Sequence, residues 1–66
     1  MHTERIDRDR VTVELSGDEL EILNNALNEV CNGLDIREFA IRMGAEKPEV
    51  LKLLHRVSEA LQLIRP

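Results

Sequence analysis

Residues 36–54, IREFAIRMGAEKPEVLKLL, decide how this chain is read. Met43 is expected in the last turn of a helix, and Gly44 follows as the residue best suited to a left-handed stop. Pro48 then fits the first turn of a new helix, where its fixed φ and missing N–H cost nothing. Val50, Leu53 and Leu54 resume the apolar pattern. The stretch therefore predicts helix, tight turn, helix. Asp35 and Glu38 have capping-box spacing, and Leu34 and Phe39 can form the flanking hydrophobic staple, so the first of these helices is expected to be capped by Asp35. Phe39 is the only aromatic residue and the expected core anchor.

Toward the C-terminus the second of these helices is expected to run to about Ile64. Val50, Leu54, Val57, Leu61 and Ile64 recur at alternating four- and three-residue steps, and Leu51, Leu53, Ala60 and Leu63 widen the stripe. Two short helices do not cover so wide a stripe. One flank is expected to pack inside the domain and the other, with Leu54, Val57, Leu61 and Ile64, against a partner.

Toward the N-terminus an earlier helix is announced by Ser16 and Glu19, which have the S-x-x-E spacing of a capping box, with Leu15 and Leu20 as its staple. Asp18 and Glu19 suit the positive first turn. Leu20, Leu23, Leu27, Val30 and Leu34 make one apolar stripe, with Ala26 and Cys31 beside it, and Gly33 is the expected left-handed stop. Asn24, Asn25, Asn28 and Asn32 flank this stripe. Asparagine competes with the backbone for hydrogen bonds and is a mediocre helix former, so four in one helix stand out. Asn32 fits a C-terminal cap. Asn24 and Asn28, nearest the stripe, are candidates for contact with a partner or second subunit, because an amide donates and accepts at once.

Before that helix, RVTVEL over residues 10–15 alternates, with Val11, Val13 and Leu15 on one face and Arg10, Thr12 and Glu14 on the other. That pattern predicts a half-buried strand. A lone strand leaves backbone groups unpaired on both edges, so pairing with the same strand of a second copy is expected, through Val11 and Val13. Residues 1–9, MHTERIDRD, are charged and are expected to form a flexible tail. The fold class is thus mainly α: a short N-terminal strand followed by three helices, with residues 10–66 as one small domain.

A chain of 66 residues is marginal on its own, and with one cysteine it has no internal disulfide to help it. His2, His55 and Cys31 are too few and scattered for a metal site, so no cofactor is expected and association becomes the expected support. The net charge is -4, but residues 1–36 carry -6 and residues 37–56 carry +2, which makes the helix-turn-helix stretch locally basic. No apolar run approaches the roughly 20 residues needed to cross a bilayer. A cytoplasmic location is the expectation, with no membrane partner. No paired acid and base, phosphate-binding loop or activated nucleophile is legible. Cys31 beside the apolar stripe fits a small core residue, so the chain is not expected to be an enzyme.

Residues 36–54 resemble helix-turn-helix DNA-binding domains. On that resemblance Ala40 is the small packing residue, Gly44 the turn, and Val50 and Leu53 the core of the second helix. Arg42, Lys47, Lys52 and Arg56 are then the DNA contacts, with Glu46 and Glu49 interrupting them. Residues 10–45 are similar to ribbon-helix-helix dimers, which implies paired strands presenting Arg10, Thr12 and Glu14. The run LNNALNEVCNG, residues 23–33, looks like short uncharacterised bacterial proteins and implies no function. The reading that best fits an acidic, well-capped helical unit with surplus apolar surface is a non-enzymatic protein-interaction module. It is expected to be homodimeric, with a regulatory, adaptor, antitoxin-like or immunity-like role. The alternative is a helix-turn-helix DNA-binding regulator.

Overall fold

Ser16 opens the largest unit of the fold through the bonds its spacing requires. In the computed structural model, which describes residues 1–65, the Glu19 backbone N–H donates to the Ser16 hydroxyl at 3.1 Å. The Ser16 N–H donates to the Glu19 carboxylate at 2.9 Å. Both halves of the capping box are made, so donors otherwise orphaned at the helix start are satisfied. Helix α1 runs over Gly17–Asn28. Its end departs from expectation. Residues Glu29–Gly33 widen into a π-helical turn, closed by the Leu34 N–H donating to the Glu29 carbonyl at 2.9 Å. Gly33 does not take a left-handed conformation; the wider turn ends the helix, and the Glu29 side chain lies over the space that Gly33 leaves. Asn32 does not cap the backbone either: its amide donates to Asn28 Oδ1 at 2.9 Å.

Helix α2 is shorter than expected, Phe39–Met43. Asp35 does not cap it. The residue before it is Glu38, held in the left-handed region at φ 53 and ψ 45 with no side-chain cap. The chain uses that bend to bring Phe39 onto the core formed by the other helices. A left-handed non-glycine residue costs about 1–2 kcal/mol, so packing has overridden the local capping signal. Gly44 behaves as its position requires. It is left-handed at φ 78, and its N–H donates to the Ala40 carbonyl at 2.8 Å. Helix α3 follows over Lys47–Ile64, with Pro48 in its first turn.

Helices α1 and α3 lie antiparallel. Ser58 of α3 meets Asn24 midway along α1, and Arg65 just past α3 reaches Asp18 and Glu21 in the first turns of α1. Between the helices sit the five buried side chains of the core, Leu27, Cys31, Val50, Leu54 and Val57. Leu20, Phe39, Ala45 and Leu51 pack against them while partly exposed. Phe39 is therefore a flank of the core and not its anchor. Cys31, in the π turn, is the most deeply buried side chain at 1% exposure. Leu54 and Val57, expected at a partner interface, are used internally, because the buried line of α3 faces α1.

The N-terminal expectation is also corrected. Residues 1–9 are not a tail: strand β1, His2–Ile6, pairs antiparallel with β2, Val11–Glu14. One edge of β2 is thus occupied within the chain. The partners are His2 with Glu14, Thr3 with Val13, Arg5 with Thr12 and Ile6 with Val11. Glu4 is an extra residue in β1, a bulge. It lets Ile6 and Thr3, an odd number of residues apart, share the face of Val11 and Val13. Charges in residues 1–9 hid the strand, and the bulge breaks its alternation.

The molecule spreads over 35 × 34 × 15 Å. No helix among the described residues is long and apolar enough to cross a membrane. Because Leu54 is buried and Phe39 only half-buried, Leu54→Ala should cost about 2–5 kcal/mol, and Phe39→Ala should fall below the usual range for a buried Phe. Denaturant midpoints should rank wild type, Phe39→Ala, then Leu54→Ala. The reverse order of the two variants would put the core on the wrong side of α2.

Candidate interaction surface

The hairpin presents an apolar face with nothing over it among the described residues. Ile6 is 76% exposed, Val11 57% and Val13 40%, and cross-strand pairing places all three on one side. A two-stranded sheet is marginal in water unless further strands or a packed element cover its apolar face. The opposite face carries Arg5, Thr12 and Glu14. One ion pair ties the start of the hairpin to the helical unit, between the Met1 ammonium and the Glu19 carboxylate. That contact, followed by the backbone bond from Ser16, holds the Glu19 carboxyl at about 2, below its ordinary 4.5.

Ile22, Leu53, Leu63 and Ile64 add exposed apolar side chains on the helical unit. Of the residues expected to meet a partner, Val11, Val13 and Ile64 are exposed and Leu61 is half-buried. Asn24 is engaged within the chain, accepting a 2.6 Å hydrogen bond from the Ser58 hydroxyl across the α1–α3 seam. Asn28 accepts from Asn32, and Asn25 is exposed. The asparagine flank thus divides into a helix–helix lock, a surface pair and an exposed residue. Sequence reasoning does not single out Ser58; a small hydroxyl one position after a core valine is the available signal.

The basic residues also have defined places. Arg42, Lys47, Lys52 and Arg56 are all exposed. Lys52 is paired with Glu49 at 3.5 Å, and Lys52, His55, Arg56 and Glu59 border a shallow depression on α3. A second open depression, ahead of α2, is lined by Leu34, Asp35, Ile36, Arg37 and Arg42. Leu53, expected in the core of a helix-turn-helix, is half exposed, whereas Val50 is buried and Ala40 half-buried. Among the described residues no three His, Cys, Asp or Glu side chains gather to hold a metal ion. No protein-family model, curated protein or solved structure matches the chain.

Two expected outcomes follow from these contacts. Asn24→Ala should destabilise by about 1 kcal/mol through the lost bond to Ser58, while exposed Asn25→Ala should stabilise by up to roughly 0.5 kcal/mol through helix propensity. Opposite shifts in thermal melting check this, and equal shifts would refute it. The second outcome concerns acid. Glu19 titrates lower folded than unfolded, so its contribution is complete above pH 4.5 and disappears as pH falls toward 2. Glu19→Gln should flatten that limb of a stability–pH curve; an unchanged limb would remove Glu19 from the account.

Proposed function

We propose that the protein is a small non-enzymatic interaction module whose first partner is a second copy of itself, in a regulatory, adaptor, antitoxin-like or immunity-like role. The observation that carries this reading is surface. The chain exposes 5642 Å², whereas a compact monomer of 7.6 kDa exposes about 4,300 Å². The surplus, roughly 1,300 Å², exceeds the ~800 Å² that each partner buries in a standard interface. Its radius of gyration, 13.2 Å, likewise exceeds the ~11 Å of a compact chain of this length. Exposed large apolar side chains lie on the hairpin, at Ile6, Val11 and Val13, and on the helices, at Ile22, Leu53, Leu63 and Ile64, so covering them would add burial to that of the five core side chains.

The expected mass in sedimentation equilibrium at micromolar concentration is twice 7.6 kDa. A stable monomer at that concentration would overturn the reading.

The DNA-binding alternative draws on one specific feature. Gly44 turns α2 into α3 as a helix-turn-helix requires, with Arg42 and Lys47 exposed beside the turn and Lys52 and Arg56 exposed further along α3. Against it stand the net charge of -4 and Glu46 and Glu49 at the start of α3. The expected result is no strong retention on duplex DNA of random sequence at physiological salt. Submicromolar, salt-dependent binding that is lost in Lys52→Glu would favour this alternative.

A further inference from the structure

Resting on the dimer reading, we propose a specific interface for it: the free edge of β2 pairs antiparallel with β2 of a second copy about a two-fold axis at Thr12, giving a four-stranded sheet ordered β1, β2, β2, β1. Among the described residues the sheet has two strands, so each keeps one free edge. An edge of this kind is a template for another strand, and three features select the edge of β2 and the partner.

The first is self-complementarity. Residues 10–14 read RVTVE. Antiparallel pairing centred on Thr12 sets Thr12 against Thr12 of the second copy, Val11 against its Val13, and Arg10 against its Glu14. Every pair is favourable in kind, and each charged pair occurs twice by symmetry. Both valine pairs fall on the face that already carries Ile6. Apolar rows that are too narrow in one hairpin therefore join into a continuous face across the sheet.

The second is backbone direction. The Asp7 N–H donates to the Arg10 carbonyl at 2.7 Å, so the groups of Arg10 point toward β1. By strand alternation those of Thr12 do so too, while those of Val11 and Val13 point to the free edge. These are the residues that exchange N–H···O bonds in a pairing centred on Thr12, and Thr12 then falls at a close, non-hydrogen-bonded position. Register and donor direction agree.

The third is that the edge of β1 is blunted. Its bulge at Glu4 interrupts regular pairing, and self-pairing about its centre would set Glu4 against Glu4. Like charges directly opposite are destabilising. A self-complementary edge favours a copy of itself over an unrelated strand, and that is why the second copy is the chosen occupant.

The test uses the full chain. Thr12→Cys brings two thiols together at a site whose Cα separation, about 4.5 Å, suits a disulfide. Mild oxidation should give a covalent dimer on a non-reducing gel. The parent protein should give none, since Cys31 is buried, and neither should Glu4→Cys. Separately, Arg10→Glu should weaken self-association at least tenfold by setting like charges opposite. The double exchange Arg10→Glu with Glu14→Arg should restore it, with circular dichroism confirming that each variant is folded. Restoration also separates a paired edge from a merely structural effect. A sedimentation dimer that neither cross-links in the Thr12→Cys variant nor responds to charge reversal would overturn this interface and leave the dimer reading standing. A monomer at micromolar concentration would overturn both.

Discussion

Everything in this fold depends on the antiparallel seam between α1 and α3. Leu27 and Cys31 from one helix region meet Val50, Leu54 and Val57 from the other, and these five are the enclosed side chains. The core is small because α2 has one and a half turns and reaches the seam only through a half-buried Phe39. Two helices in contact share one line of burial. Leu53 and Leu63 of α3 lie off that line and stay at the surface. Stability of a domain this size is a small difference of large terms, so surface left uncovered matters as much as the seam itself.

Polar groups keep the seam in register. Ser58 and Asn24 lock its middle at 2.6 Å, and the Arg65 guanidinium spans Asp18 and Glu21 at one end. Exposed ion pairs add little stability by themselves. Their geometry nonetheless fixes which turn of α3 faces which turn of α1. The Glu19 carboxylate has a double role, closing the cap of α1 and holding the start of the hairpin through the Met1 ammonium. The hairpin is therefore anchored at its base while Ile6, Val11 and Val13 on its strands remain exposed.

Much of this was legible in the chain. The capping box at Ser16 and Glu19, the left-handed Gly44 and the start of α3 near Pro48 depend on residues within one turn of each other, so local chemistry decides them. The stripe of α3 was also legible, but not its division: Leu54 and Val57 look the same in sequence as Leu61 and Ile64, and only the place where α1 lies on α3 separates the buried pair from half-buried Leu61 and exposed Ile64. The strand at Val11–Glu14 was visible from its alternation; its partner β1 was not, because the Glu4 bulge disrupts the period and charged residues dominate the segment.

The sequence by itself determined where α1 and α3 begin, because the Ser16–Glu19 capping bonds and the geometry of Pro48 are short-range effects. Tertiary structure decided the rest. It opened the end of α1 into a π turn at Cys31, displaced the start of α2 by drawing Phe39 to the core through a left-handed Glu38, and joined Asn24 to Ser58. It also folded residues 1–9 back on β2, leaving one edge of that strand free. Each of these outcomes is set by burial and pairing between residues far apart in the chain, and the energy of such contacts exists only once the elements have met.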